Sequence, residues 1–589
     1  MKTVLTGINS KYIHTCLAVW YLKSSISKGS KIPDESILIR EFTINDSKDN
    51  ILAEIYKEKP DIITFSCYIW NTELILMLSK ELKKLLPGCL IVLGGPEVSY
   101  NAEAVLKDNC SIDFVLCGEG EETFPVLYGS LLEGTDAYRS LSGIAYRTES
   151  SVVYNKGFSL IQNLDDINSP YTPELLEAAA NRIVYYESSR GCPFSCSYCI
   201  SSTFNGVRFF SMDRVKQDLN TLLLYKPKLI KFVDRTFNCN KRRAKEIFEY
   251  IIGLKSSTLF HFEAAADLFD EDILRLLSNA PKGTIQLEIG IQTTNADTLE
   301  EIDRVTDIAK LSGNVKKILD NGNIHVHLDL IAGLPCENLE TFKKSFNDVY
   351  GMRPHQLQLG FLKLLHGSRI RKEAEKHGFV YRSYAPYEVL KNNYVSFEDI
   401  LLMKDVEEVL ERYYNSSRYG SSLEFIEEGF FPDAFELYYR LSVFCRERGY
   451  LDRPISYREN IAILYEFFES RISSQKLSIC EKNSEVFRQK MIFDFLSCDS
   501  SCAVPECLKR EKDLISVGSI HQLLKNEELV KEYLPDFIGA PVKSILKKIF
   551  FIKLNELTQD GEIMLFDYSG RDLLSGRYRS AAVKYFFLG

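Results

Sequence analysis

Short apolar runs rich in β-branched residues alternate with amphipathic stretches through the first 150 residues of this 589-residue chain. Strands are predicted at Thr3–Ile8, Ser36–Ile44, Asp61–Cys67, Leu90–Leu93 and Asp113–Cys117. Helical patterns fall between them. The clearest, Thr72–Leu86, is stopped by Pro87-Gly88. Near-continuous apolar strands with helical crossovers imply a parallel sheet covered on both faces, hence an α/β, Rossmann-like (flavodoxin-like) domain over 1–150. Such sheets bind ligands at the carboxyl ends of their strands. Polar and Gly-rich residues gather there: Asn9-Ser10, Ser66-Cys67-Tyr68, Gly94-Gly95-Pro96-Glu97 and Gly118-Glu119-Gly120-Glu121.

After a linker over 151–180, the alternation resumes across 181–370. Six strands are predicted here, at Ile183–Glu187, Leu229–Val233, His261–Ala265, Thr284–Ile289, His325–Ile331 and Gln356–Leu362. Over 371–589 the pattern changes to long amphipathic helices, such as Met403–Tyr414 and Ile461–Ser473, and ends in a small β-containing unit. Tyr384, Tyr387, Tyr394, Tyr413 and Tyr414 crowd the first part of that region.

Length alone makes two or three domains the expectation. With 45% hydrophobic and 26% charged residues the composition is that of a globular protein, not a disordered one. The net charge of −9 carries no global nucleic-acid signature, although a local basic face would be diluted in a chain this long. No signal-peptide anatomy opens the sequence, and no stretch reaches the ~18 to 20 apolar residues of a membrane span. Fifteen scattered Cys without an export signal suit a reducing compartment, so a cytoplasmic protein without a membrane partner is expected.

The sharpest chemical signal is Arg190-Gly191-Cys192-Pro193-Phe194-Ser195-Cys196-Ser197-Tyr198-Cys199. Its C-x3-C-x2-C spacing offers three thiolates where a cubic cluster of four irons takes four ligands. One iron left open is a coordination position for a substrate, as in catalytic zinc sites. This run resembles the radical S-adenosylmethionine (SAM) superfamily, whose members bind SAM on the open iron and cleave it to a 5′-deoxyadenosyl radical. The phrases GGPEV and CGEGEETF resemble the cobalamin-binding domain that precedes many such cores. HGSRIRKEAEKHGFVYRSYAPYEVL resembles the helical tail of unknown function that follows them. The chain is thus similar, over essentially its whole length, to cobalamin-binding radical SAM enzymes.

The resemblance implies a partial (β/α)6, TIM-like barrel over 181–370, with its chemistry at the strands' carboxyl ends. It implies a 4Fe-4S cluster on Cys192, Cys196 and Cys199, with Tyr198, Asp234, Glu288, Gln292 and Asp329 near SAM. It places cobalamin on Asn9, Ser66, Gly94, Gly95, Pro96, Glu97, Gly118 and Glu119. An electron donor of flavodoxin or ferredoxin type is implied as partner. Family members that ligate cobalt use Asp-x-His-x-x-Gly; here His14 is flanked by Tyr12 and Leu17, so cobalamin without a protein His on cobalt is expected, with His14 on a helix face.

The activity so implied is methyl or alkyl transfer to an unactivated carbon or a modified tRNA nucleoside, the substrate being a small molecule, a peptide or tRNA. A methylthiotransferase-like activity, a cobalamin-using rearrangement or cyclisation, and a non-catalytic sensor are the alternatives. Cys16, Cys67 and Cys117 read as packing thiols, and His325 with His327 share one strand face. Cys498, Cys502 and Cys507 lack the spacing of the cluster loop. Lys543, Lys547, Lys548, Lys553, Arg571, Arg577, Arg579 and Lys584 interleave with Phe550, Phe551, Tyr568, Tyr578, Tyr585 and Phe586, which fits either a solvated surface or an RNA-docking face.

Overall fold

The computed structural model describes residues 1–26, 36–204, 206–472 and 477–584, the side chains of 477–480 excepted. β1 (Thr3–Asn9), β2 (Ile37–Thr43), β3 (Ile62–Ser66), β4 (Leu90–Gly94) and β5 (Phe114–Leu116) form the expected parallel sheet. Its order is β2-β1-β3-β4-β5, the flavodoxin-like arrangement, whose ligand crevice opens between β1 and β3. Leu5, Ile62, Val92 and Phe114 pack on one face, and Ile8, Ile63, Ile91 and Val115 on the other. Both faces are dry, so the strands are apolar at successive positions instead of alternating.

The sheet continues past residue 150. β6 (Ile144–Arg147) and β7 (Val152–Asn155) extend its β5 edge in antiparallel fashion. The segment 151–180, expected as a linker, therefore begins inside the sheet. These strands are too short for their periodicity to register. Farther along, Leu164, Ile167 and Tyr171 are buried in a core shared with the next domain.

That domain starts with β8 (Val184–Tyr186), followed by a hairpin of β9 (Ser189–Cys192) and β10 (Gly206–Phe209). β8 then joins β11 (Leu229–Phe232), β12 (Leu259–Glu263), β13 (Ile285–Gln292), β14 (His325–Ala332) and β15 (Gln356–Phe361) in one parallel sheet of six strands. All six predicted strands are present. Ile285, Leu287, Ile289 and Ile291 of β13 are fully buried, while Gln286, Glu288, Gly290 and Gln292 between them face the lumen. β14 repeats this pattern, with His325, His327 and Asp329 on the lumen side. A closed TIM barrel fills its interior with branched apolar side chains. This open one keeps a polar lumen.

Beyond the barrel, β16 (Val380–Tyr381) pairs with β17 (Val389–Lys391) ahead of helices Phe397–Leu410, Gly420–Phe430, Ala434–Glu447, Tyr457–Ile472 and Leu477–Cys498. Ser396 and Asp399 close a reciprocal cap on the first of these helices. The chain ends in an antiparallel sheet of β18 (Ile549–Ile552), β19 (Glu562–Arg571) and β20 (Tyr578–Lys584), with its own small core. The β19–β20 tip reaches the amino-terminal end of β13, where Lys282 pairs with Asp572 and Leu573 packs on Gly283. Among the described residues no helix is long and apolar enough to cross a membrane.

The first domain and the barrel are clamped by buried charge. Arg190, at the start of the cluster hairpin, donates to Glu121 at 2.5 Å and Glu187 at 2.6 Å and lies over the Tyr21 ring. Arg208, on the other strand of the hairpin, donates to both oxygens of Glu119 at 2.8 and 2.6 Å. Replacing Arg190 by Met strands Glu187 and Glu121 against each other in a dry seam. Breaking such a pair from one side costs about 3 kcal/mol or more, to be read from urea unfolding. A loss below about 1 kcal/mol would mean that the carboxylates reach water when the cation is gone.

Candidate functional site

The cluster loop is held from beneath and from the side. Asp234, at the end of β11, is buried and accepts from Ser188 N at 3.0 Å, Ser188 Oγ at 2.7 Å and Ser189 Oγ at 2.5 Å. It thereby brackets the turn that feeds β9. Burial pushes its carboxyl upward, against these donors. Asp234 was expected near SAM; the structure shows it beneath the loop, in a positioning role. Gly191 has φ +98°, and a Cβ there would meet Gly206 O at 2.3 Å, so the hairpin closes only on glycine. Ser202 Oγ donates to the carbonyls of Cys196 at 3.0 Å and Cys199 at 2.6 Å.

Cys192, Cys196, Tyr198 and Cys199 line one cavity of about 210 Å³ together with Glu288, Gln292 and Asp329 from β13 and β14. Burial raises the Cys196 thiol; Arg304 opposes it, donating to Cys196 Sγ at 3.8 Å and to Tyr198 Oη at 3.2 Å. Cys192 Sγ sits 3.6 Å from Thr236 Oγ1. Arg235, Thr236, Glu263 and Arg304 also face the cavity and were missed from the sequence. Arg235, Thr236 and Glu263 stand at strand ends, where many polar residues only cap turns, and Arg304 follows the helix Ala296–Glu301, where no pattern marks it.

β13 ends on an irregularity that aims its last side chain. The pairing with β14 slips between Gly290 and Gln292, and Gln292 takes φ +74°. Its amide then lies across Gly290, where a Cβ would meet Gln292 Nε2 at 2.3 Å. Gln292 Oε1 and Asp329 Oδ1 are buried with no partner among the described residues. Glu288 is differently placed. Burial raises its carboxyl, but His261 at 2.9 Å and Lys231 at 3.2 Å outweigh that and hold it down at about 2. The Asp329 carboxyl is raised to about 8 by burial and by the charges of Glu288 and Glu263. One ionised and one protonated carboxyl therefore face the same cavity at neutral pH.

Deeper in the lumen, His325 and His327 stand 4.8 Å apart ring to ring, with His355 4.6 Å from His325. Burial lowers His325 to about 3 and His327 to about 4, so both are neutral.

In the first domain the expected cobalamin residues divide. Asn9 and Ser66 are buried at the crevice between β1 and β3, with Asn9 Nδ2 donating to His14 O at 3.1 Å. Gly95 and Gly118, both at positive φ, press on the backbone of Cys67 and Ser159, where a Cβ would come within 2.5 Å of each carbonyl. Gly94 ends β4, and Pro96 opens the short helix Pro96–Ser99. Glu97 accepts from Tyr387 Oη at 2.5 Å, and Glu119 is spent on Arg208. These two carboxylates hold domains together, a role that no local pattern displays. The sequence signal instead missed Tyr12 and Trp70, exposed apolar rings at the ends of β1 and β3, the second stacked on Tyr68 at 4.5 Å. Large exposed rings at a ligand crevice suit a broad, flat, partly apolar group. His14 lies in a loop before the first helix, not on a helix face, and its Nδ1 is 2.6 Å from Tyr185 Oη at the edge of the barrel.

Cys16, Cys67 and Cys117 are fully buried, as packing thiols should be. Cys498 ends a helix, Cys502 donates to Ser500 O at 3.5 Å, and Cys507 is exposed. In the closing segment, Arg577 pairs with Asp494, Arg579 with Asp536, and Arg571 donates to Cys498 O. Tyr585 and Phe586 lie outside the described residues.

Three thiols, unpartnered Gln292 and Asp329 oxygens and a hydrogen-bonding lumen fit a cluster and a polar cosubstrate. Residues 3–128 match the family described as B12 binding domain, and 186–349 the Radical SAM superfamily. Residues 375–565 match a protein of unknown function, DUF4080. The cobalamin-dependent radical SAM methyltransferase TokK of Streptomyces tokunonensis is 25% identical over 316 residues, covering 51% of this chain and 46% of its own length. The anaerobic magnesium-protoporphyrin IX monomethyl ester cyclase of Synechocystis sp. is 29% identical over 240 residues, 39% of this chain and 47% of its own. The chain thus spans about half the length of these curated relatives. The structure of the cobalamin-dependent SAM radical enzyme OxsB with aqua-cobalamin shares the fold at a TM-score of 0.59 and 15% identity, covering 84% of this chain and 80% of that one.

Asp329 sets a pH dependence. Its folded carboxyl titrates near 8 and its unfolded one near the usual ~3.9. The stability it confers is full below the lower value and is lost as pH rises through the upper. Between about pH 4 and 8, cofactor-free protein should lose about 1.4 kcal/mol per pH unit relative to Asp329→Asn. A difference independent of pH in urea unfolding would show that the native carboxyl is not raised.

Proposed function

We propose that this chain, which belongs to the cobalamin-binding radical SAM enzymes, transfers a methyl group to a carbon that lacks nucleophilic character. Its cofactors are cobalamin, a [4Fe-4S] cluster and SAM. When bound, the cluster supplies the electron that cleaves SAM and cobalamin supplies the methyl group. The observation that carries the reading is the convergence of Cys192, Cys196 and Cys199 with Glu288, Gln292 and Asp329 in one cavity, against the crevice loops of a B12-binding domain. Tyr100 Oη from that domain lies 2.7 Å from Thr203 Oγ1 on the cluster loop.

The chain's own residues do the positioning. The three thiolates would hold three irons and leave the fourth to SAM. Asp329, protonated, donates a hydrogen bond, while the Gln292 amide offers both a donor and an acceptor. Glu288 provides the fixed negative charge that a sulfonium cosubstrate prefers. Arg304 neutralises part of the thiolate charge next to Cys196.

A small-molecule acceptor is favoured over tRNA by Arg577, whose charge is met by the buried Asp494, and by Arg571 and Arg579, which already have partners at the surface. An external electron donor of flavodoxin or ferredoxin type completes the reaction. A second reading, radical cyclisation without methyl transfer, draws on the similarity to the cyclase.

Incubation of reconstituted protein with methyl-labelled SAM, reductant and a metabolite extract separates the two. Methyl transfer yields 5′-deoxyadenosine and S-adenosylhomocysteine in equal amounts, with label in a product. Turnover that gives 5′-deoxyadenosine without S-adenosylhomocysteine would replace methyl transfer by cyclisation. Cys199→Ala should lower 5′-deoxyadenosine formation at least a thousandfold; retention of cleavage would remove the cluster assignment.

A further inference from the structure

Outside the cavity, on the flank of the cluster loop, the carboxylates of Glu301 and Glu373 and the imidazole of His377 each present one atom within 4.8 Å of the others. They come from two segments: the end of helix Ala296–Glu301 after β13, and the turn that runs from helix Arg369–Lys372 to β16, which carries Glu373 and His377. Glu373 and His377 belong to the phrase RKEAEKHGF, to which the proposed chemistry assigns no role. We propose that these three residues form a site for a divalent transition-metal ion, distinct from the cluster.

His377 supplies the observation beyond the clustering of acids. It is only 2% exposed, and one nitrogen of its ring is left without a partner. Nδ1 has no partner among the described residues, and Nε2 faces Glu301 Oε1 at 3.3 Å. An imidazole so buried ordinarily pairs both nitrogens. Ligand atoms bound at about 2.0 to 2.1 Å in a tetrahedral site lie about 3.3 Å from one another, the separation of His377 Nε2 and Glu301 Oε1, and all three atoms lie within 4.8 Å.

One imidazole and two carboxylates are a donor set for zinc and its neighbours in the first transition row, not for calcium. Two cations stand nearby, Lys376 on Glu301 and Arg369 at 3.6 Å from Glu373. Lys376 is well exposed and can swing into water at little cost. Glu301, Glu373 and Cys336 line one open cavity of about 680 Å³.

The position suggests what the ion does. Ile302, next to Glu301, accepts at its carbonyl from Ser197 N at 2.9 Å, and Ile370 N donates to Ser197 O at 2.9 Å. Ser197 stands between two of the cluster cysteines. The two segments that would hold the ion therefore grip the cluster loop from both sides, and cross-linking them would stiffen it.

The test uses full-length protein with its cluster in place, so that the cluster thiols cannot bind the added ion. After equilibration with Zn2+ and passage over a chelating resin, elemental analysis should find one zinc per chain beside the iron. His377→Gln and Glu373→Gln should each lower zinc affinity at least tenfold, with far-UV circular dichroism unchanged. Co2+ in place of zinc should give visible d–d absorption that both variants lose. Zinc and Co2+ binding that is undetectable in the parent, or equal in the parent and the folded variants, would overturn the site. Either result leaves SAM cleavage by the cluster to be judged on its own.

Discussion

The cluster hairpin depends on a buried knot of charge. Arg190 and Arg208 sit on its two strands, and the carboxylates that receive them, Glu119 and Glu121, open a helix of the other domain. Ions taken out of water at such a seam repay their desolvation only when every partner is present. The two domains therefore dock in one register. Asp234 adds a bracket from the barrel side. Orientation of the cluster loop against the B12-binding crevice follows from these contacts, not from the cysteines themselves.

With the loop in place, the lumen becomes a second polar layer. Open to one side, the sheet need not fill its interior with apolar side chains, and β13 and β14 alternate buried aliphatics with Glu288, Gln292, His327 and Asp329. Proximity then separates otherwise similar carboxyls. Glu288 has Lys231 and His261 and stays ionised, and its charge helps to keep Asp329 protonated. A slipped register at Gly290 turns Gln292 toward the same cavity at the cost of a positive φ. Polar groups left unpaired in a folded protein are expensive, and their presence together marks where a ligand completes the structure.

What the sequence determined by itself is local. The apolar runs reported every parallel strand of the two large sheets, because residues buried on two faces, or alternately on one, must show that periodicity. The cysteine spacing announced the cluster, since one short loop supplies all three thiols. Glu288, Gln292 and Asp329 were legible as polar residues ending apolar strands. Tertiary structure decided the rest: that Glu97 and Glu119 join the first domain to distant segments, that Asp234 supports the loop from below, that β7 belongs to the first sheet, and that Arg304 reaches Cys196. Each is a contact between segments far apart in sequence, and a single chain read in order carries no signal of which distant partner a charged side chain will meet.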